Sequence, residues 1–485
     1  MNGHRFTLIT ICLMLVAWAG PRTAQGAVIE MLNGQKYAGK IVGETETTVT
    51  VEVTFEGAGM ATTLEKSAIH AITDDKGVRT VLHARPETDA KPVRREPDKK
   101  EEPKPPAKPV FDWSCWRGPD HNGISAEKGW RSGWSAGSEP KILWKKELGG
   151  GYSGVSVADG RAYTMGNDGT QDTVWCFDAE TGAEIWKHSY ACGTDRDYPG
   201  PRATPTVDDK VVYTFSRKGD LNALDAVSGR VLWQKNPAKE QSAQSPNWDY
   251  AGSVYVSGEL LFVNVGTAGT ALNKHTGAIA WKTGSGKAGY ATPVEVVLDG
   301  VPALLLFSGK ALCGVDLKSG KTLWNHPWET NYDVNAADPI FHDGKVFIST
   351  GYKHGSALLA VTARDAAKVY ETKAMQNHFN SCVLLDGYLY GFDESTLKCI
   401  EFASGAEKWS ERGLGKASLV IADGKLIVLS EDGRLVIANA VPTGFVKLGE
   451  VAILTKTCWT PPILANGRIY ARNNTGSMVC VDMKP

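Results

Sequence analysis

Cys176-Phe177-Asp178-Ala179-Glu180-Thr181-Gly182-Ala183-Glu184-Ile185-Trp186 is one copy of a phrase that recurs along most of the chain. It runs small residue, apolar residue, acid, then Gly four positions on and Trp four beyond that. Further copies are Ala223-Leu224-Asp225 with Gly229 and Trp233, Ala271-Leu272-Asn273 with Gly277 and Trp281, and Gly314-Val315-Asp316 with Gly320 and Trp324. Weaker ones read Ala360-Val361-Thr362 with Tyr370, Cys399-Ile400-Glu401 with Gly405 and Trp409, and Ala438-Asn439-Ala440 with Gly444 and Leu448. Successive acid positions, with Asp482 as the last, lie 39 to 48 residues apart. That is the period of one four-stranded propeller blade.

The phrase describes a hairpin. The residues before the acid form a strand, the acid bonds backbone N–H groups across the turn, Gly supplies positive φ, and the run to Trp is the returning strand. An indole on an outermost strand buries itself against the neighbouring blade, so Trp144, Trp186, Trp233, Trp281, Trp324 and Trp409 are expected to dock blade to blade. Upstream alternation, as in Val157-Ala158-Asp159-Gly160-Arg161-Ala162-Tyr163, brings the count to four strands per repeat. Asp482 ends a hairpin with no returning strand after it, and Ile142-Leu143-Trp144-Lys145 is a returning strand with no hairpin before it. Pairing the two predicts an all-β, eight-bladed propeller sealed by N- and C-terminal strands, which leaves no open edges.

The chain has 485 residues, 42% hydrophobic, with 52 Gly and a formal charge of −1. Neutral balance carries no electrostatic footprint for nucleic acid or an anionic membrane. His4 and Arg5 precede an apolar run from Phe6 to Trp18, and Ala24-Gln25-Gly26 has a small-x-small cleavage pattern, so residues 1–26 read as a signal peptide too short to span a bilayer. The expected location is periplasmic or secreted. Residues 27–83 alternate like five short strands with Asn33-Gly34 in the first turn, the pattern of a small SH3-like or Sm-like barrel. Residues 84–110 hold seven prolines and many charges and read as an extended, disordered tether. Residues 111–140 form a lead-in, and 141–485 the blades.

Eight cysteines follow the leader, an even number that invites disulfides in an oxidising compartment. Cys176, Cys399 and Cys480 occupy the slot held elsewhere by Ala223, Ala271, Gly314, Ala360 and Ala438, where a small buried side chain fits. No Cys-x-x-Cys occurs, so neither a zinc knuckle nor covalent haem is indicated. Register places Tyr152, Arg202, Tyr250, Tyr290, Ala336, Phe379, Lys416 and Trp459 at one equivalent channel position, with Asp249, Asn335 and His378 just before three of them. One mouth should therefore carry aromatics interleaved with cations and amides. Such a surface suits a peptide or a planar anion, and it equally suits a plug of large side chains, with Arg202 paired to Asp249. His378 has no second histidine at ligand spacing, and Asp333 and Asp338 are acids in turns. No metal site and no catalytic residue is assigned.

The Asp-x-x-Thr-Gly-x-x-x-Trp phrase resembles the tryptophan-docking repeat of quinoprotein propellers, related to pyrroloquinoline-quinone (PQQ) alcohol dehydrogenases, over residues 141–485. The lead-in Trp113-Ser114-Cys115-Trp116-Arg117-Gly118-Pro119 is similar to the segment preceding such propellers in secreted proteins of planctomycete-type bacteria. The resemblance implies the fold more than the chemistry, because non-enzymatic relatives such as the B component of the outer-membrane β-barrel assembly machinery share the blades. Dehydrogenases of the family carry adjacent cysteines beside the quinone, calcium ligands with an Asp base, and long insertions. Here no two cysteines are adjacent and no repeat interval exceeds 48 residues. The expected function is an exported, non-catalytic binding or assembly platform for a protein or peptide of the cell envelope, with no cofactor and no stable membrane span. The alternative is a PQQ- and calcium-dependent dehydrogenase acting on an alcohol or sugar.

Overall fold

The computed structural model describes residues 27–31, 36–55, 58–74, 78–82, 110–194 and 198–485. The expected leader, the Asn33-Gly34 turn and residues 84–109 of the expected tether lie outside them. The chain divides into two compact units, Met1–Pro106 and Ala107–Pro485.

The first unit is one antiparallel sheet whose strands lie in the order Ala58–Glu65, Thr48–Phe55, Lys36–Glu44, Ala27–Met31, Ile69–Thr73, Arg79–Val81. Alternation in Thr48-Val49-Thr50-Val51 sends the two valines to one face, where they meet Ile29, Leu64 and Ile69 in a single core. The two outer strands are not paired to each other among the described residues.

The second unit is all-β apart from short helical turns, and its strands form eight sheets. Seven are built in order from residues 156–191, 206–235, 255–282, 294–327, 340–372, 383–411 and 418–452; the eighth joins residues 463–482 to Ile142–Glu147. We number these blades 1 to 8. In the eighth, Trp144 pairs with Cys480, so a strand that precedes blade 1 completes the blade nearest the C-terminus of this unit.

The recurring phrase folds as its chemistry dictates. Asp178 Oδ1 accepts from Thr181 N at 2.7 Å and Thr181 Oγ1 at 2.8 Å. Asp225 and Asp316 do the same with Ser228 and Ser319, and these bonds hold all three carboxyls below the usual carboxylate range. A bulge at the small residue sets it opposite the indole: Cys176 faces Trp186, Ala223 faces Trp233, Ala271 faces Trp281, Gly314 faces Trp324 and Cys399 faces Trp409. Each indole then reaches the next blade. Trp186 Nε1 donates to the Ala226 carbonyl at 3.0 Å, Trp233 to Lys274 at 3.0 Å, Trp281 to Leu317 at 3.0 Å, Trp324 to Thr362 at 2.8 Å and Trp409 to Val441 at 2.8 Å. The ring faces lie on the hairpin glycines: a Cβ at Gly229 would meet the Trp186 ring at 2.6 Å, and one at Gly182 would meet Trp144 at 2.7 Å.

Blades 5 and 7 depart from the expected register. Tyr370 pairs with Leu358 and Gly449 with Ile437, so their hairpins are two residues longer than the others and the opposing slot holds Leu358 and Ile437 in place of Ala360 and Ala438. A smaller ring, or none, leaves room for the larger partner. Trp134 of the lead-in lies on Gly449 and donates Nε1 to the Glu450 carbonyl at 3.3 Å, supplying from elsewhere in the chain the indole that blade 7 lacks. The eight described cysteines are all buried free thiols. Burial pushes those of Cys176, Cys399 and Cys480 to about 12, 11 and 12 respectively, leaving them unreactive small hydrophobes.

Replacing Trp186 by Ala is expected to cost roughly 3–5 kcal/mol in denaturant melts, as loss of a buried aromatic does, with Trp186→Phe costing less because ring contact survives. A loss below ~1 kcal/mol for Trp186→Ala would contradict docking as the joint between blades.

Candidate functional site

A belt of hydrogen bonds runs around the channel from blade to blade. Gly154 N donates to Thr204 Oγ1, Thr204 N to Ser253 Oγ, Ser253 N to Thr292 Oγ1, Thr292 N to Asp338 Oδ1 and Asp338 N to Ser381 Oγ, all at 2.8–3.1 Å. These residues sit two places after Tyr152, Arg202, Ala251, Tyr290, Ala336 and Phe379, which identifies the equivalent positions without reference to sequence similarity. The expected register is out by one in blade 3, where Ala251 and not Tyr250 faces the channel. A one-residue slip in a strand turns a side chain to the opposite face. Tyr250 is accordingly 3% exposed and packs on Phe215 in the core.

The lead-in closes one end of the channel. Trp113 exchanges backbone bonds with Val157, Val207 N donates to the Ser114 carbonyl, and His121 lies 4.5 Å from Tyr255 between ring centroids. Trp116 Nε1 donates to Asp338 Oδ2 at 2.5 Å, Arg117 Nη2 donates to the Cys382 carbonyl at 2.9 Å, and Ile124–Ser125 adds a short parallel strand to Ile421–Ala422. These contacts touch six of the eight blades at or beside their innermost strands, at the belt or up to three residues beyond it.

Above this floor lies a cavity of about 200 Å³ lined by Trp116, Tyr152, Arg202, Tyr290, His378, Phe379, Trp459 and their neighbours. Rings follow one another around it. Tyr290 to Trp248, Trp248 to Tyr332, Tyr332 to Tyr352 and Tyr352 to His378 are spaced 6.4, 5.9, 6.1 and 4.5 Å between centroids. Phe379 follows His378, and Trp459 then contacts Phe379, Tyr152 and Tyr198. Tyr198, Tyr332 and Tyr352 have φ of 54°, 68° and 56°. Bulky residues rarely adopt that left-handed region, and such strain clusters where ligands are clamped.

Of the residues singled out in the sequence, Tyr152, Arg202, Tyr290, His378 and Trp459 come together here. Asp249, Asn335 and Lys416, like Tyr250, do not line the cavity. Asp249 is bound by Arg217 and Lys218 rather than by Arg202. Asn335 is fully buried and donates to the carbonyls of Ser308, Gly309 and Trp328. Lys416 turns its Nζ to His378 Nδ1 at 3.0 Å and Glu394 Oε2 at 3.1 Å. Trp116, Tyr198, Trp248 and Tyr352 were not marked by the repeat, because they lie in the lead-in and in the connections between or within blades.

Arg202 gives the cavity wall a cationic donor. Arg202 makes one hydrogen bond, from Nη2 to the Tyr198 carbonyl at 2.9 Å, while its solvent-shielded Nη1 has no partner among the described residues. Burial, with Arg217 nearby, holds its pKa below the usual arginine value. A lysine ammonium only donates, so His378 Nδ1 is the acceptor of that contact and Nε2 carries the proton. Burial, reinforced by Lys416, lowers His378 to about 4. Asp338, raised by burial and held against that by Arg117, Trp116 and Thr292, has both oxygens engaged. Calcium takes 6–8 oxygen ligands, yet no group of three or more His, Cys, Asp or Glu side chains converges among the described residues. This donor set does not fit a calcium-bound quinone.

A family model described as "Outer membrane protein assembly factor BamB" matches residues 170–411. The protein of that name from Yersinia pestis is 25% identical over 315 residues, 60% of this chain and 76% of that protein. A polyvinylalcohol dehydrogenase from a Sphingopyxis species is 26% identical over 265 residues, 50% of this chain and 37% of that protein. Among solved structures, quinohemoprotein alcohol dehydrogenase from Comamonas testosteroni superposes with a TM-score of 0.59 at 13% identity, covering 77% of this chain and 80% of that one. BamB from Moraxella catarrhalis gives 0.54 at 15% identity, covering 71% and 100%. The chain is a β-propeller whose repeats resemble those of quinoprotein-like (PQQ-like) propellers. Within that class it bears a distant resemblance to BamB. Since both kinds of neighbour share the blades, the fold does not select between them.

The imidazole of His378 is expected to titrate near 4 by NMR, well below the ordinary 6.5. Between those values the unfolded chain binds a proton that the folded one does not, so its contribution to stability is intact above about 6.5 and lost as pH falls toward 4. His378→Gln should flatten that part of the stability profile; an unchanged profile together with a pKa near 6.5 would contradict the burial argument.

Proposed function

We propose that this protein is an exported, non-catalytic binding platform whose working surface is the aromatic mouth of the channel and whose partner is a protein or peptide of the cell envelope. The observation that carries this reading is the unbroken run of rings around a cavity closed at its base. Rigid amphipathic rings give large contact area at low entropic cost and dominate binding hot spots. Export is supported by the leader pattern of residues 4–26, and no helix among the described residues is long and apolar enough to cross a membrane. The assembly role in the name of the matching family supports a platform.

The dehydrogenase alternative draws on the names of other neighbours. Against it stands the absence, among the cavity-lining residues, of a carboxylate free to act as base or calcium ligand: Asp338 is committed to Trp116 and Thr292. Purified protein supplied with pyrroloquinoline quinone and calcium is expected to give no dye-linked oxidation of alcohols or sugars. In pull-downs from cell envelope, a partner should be retained by the unaltered protein and lost in a Trp248→Ala, Tyr332→Ala variant of unchanged Tm. Turnover that vanishes in Arg202→Ala would overturn the platform in favour of the enzyme.

A further inference from the structure

The cavity is blind. An extended chain can lie across an open channel, but one that enters here meets Trp116 and the belt, with the lead-in beneath them. Only a chain end can be accommodated at depth. Which end is set by charge. A solvent-shielded donor at the wall, Nη1 of Arg202, has no partner among the described residues, whereas the one lining carboxylate, Asp338, has both oxygens engaged and Arg117 beside it at 3.9 Å. An amine terminus would face an arginine with no available acid. A carboxylate terminus would complete the half-satisfied guanidinium with a charge-assisted bond. Around that anchor the walls are aromatic, and the rim continues outward through Tyr352, Tyr198 and Tyr332, which are 37%, 45% and 64% exposed. Rings that extend beyond the cavity fit a ligand that continues out of it, as a polypeptide does and a small acid does not.

Resting on the platform reading, we infer that the mouth recognises the C-terminal carboxylate of an extended peptide whose last residue is apolar or aromatic, with Arg202 as the anion anchor and the tyrosine rim gripping the residues that precede it. The strained tyrosine backbones are then the sites where conformational cost is spent on presenting rings to the chain.

The test is calorimetric titration of the full chain with acetyl-Gly-Ala-Phe carrying a free carboxylate, with the same peptide amidated, and with phenylacetate. The free-acid peptide should bind at least about tenfold more tightly than its amide, the loss expected for one hydrogen bond to a charged group, and more tightly than phenylacetate. Arg202→Met should bring the acid down to the level of the amide. Should that variant fail to fold, the comparison of acid with amide on the unaltered protein decides alone. Equal binding of acid and amide, or binding of neither, overturns the inference, and phenylacetate binding as tightly as the peptide overturns the assignment to a chain end. If the peptides fail while envelope partners are still lost in the Trp248→Ala, Tyr332→Ala variant, the C-terminal inference falls and the platform stands; if both fail, the platform reading falls as well.

Discussion

The contact of one blade's indole with the hairpin glycine of the next is the interaction on which the rest of this propeller depends. It explains why three separate sequence positions are constrained together. The residue opposite the indole must be small so that the ring can lie down, as with Cys176, Ala223, Ala271 and Gly314. The turn residue must be Gly, because its φ is positive and its missing Cβ is where the ring sits. The acid must close the turn so that the following carbonyl can accept the indole N–H. The joint that seals the ring is of the same kind, since Trp144 in the last blade lies on Gly182 in the first. Its Nε1 finds no acceptor among the described residues, and the equivalent carbonyl, Ala179, accepts instead from Tyr470 at 3.0 Å. Sealing therefore rests on ring contact and strand pairing rather than on that bond.

A ring held rigid at its periphery can keep eight inner turns in one register, and the belt from Gly154 to Ser381 follows from that. Where the belt stops, the lead-in takes over. Ser418, next in sequence around the ring, has an Oγ without a partner among the described residues, and Pro461 has no N–H to give. That is also the sector where Ile124–Ser125 adds its short strand to blade 7 and Trp134 substitutes for a missing indole. The lead-in thus repairs the sector in which the repeat is weakest and, by crossing the axis, turns a channel into a pocket with one mouth.

The blades were legible from sequence because hairpin chemistry is local and repeats. Asp178, Thr181, Gly182 and Trp186 lie within nine residues of one another, and the orphan strand at Trp144 announced its partner. The site was legible only in part. Tyr152, Arg202, Tyr290 and Trp459 were found by register, but in blade 3 the aromatic side chain of Tyr250 drew the alignment one residue away from Ala251. The signal that would have corrected it is the small hydroxyl or acid two places on, at Thr204, Ser253, Thr292, Asp338 and Ser381. Tyr198, Trp248, Tyr332 and Tyr352 carry no repeat signal, because connections are free of the periodicity that blades impose. The role of Trp116 was invisible for another reason: its partner Asp338 lies 222 residues away in sequence, and irregular segments have no pattern from which such a contact can be read.

The central claim, that the work of this protein is done inside the single mouth, is tested most directly by filling the cavity without touching its aromatic or charged groups. Ala336 lines the cavity, and Ala336→Trp places an indole in the space a ligand would take. Envelope proteins captured by the unaltered chain and identified by mass spectrometry should be absent from captures with Ala336→Trp at equal Tm. Recovery of the same partners in the same amounts by the folded variant would contradict the account and move the working surface away from the mouth.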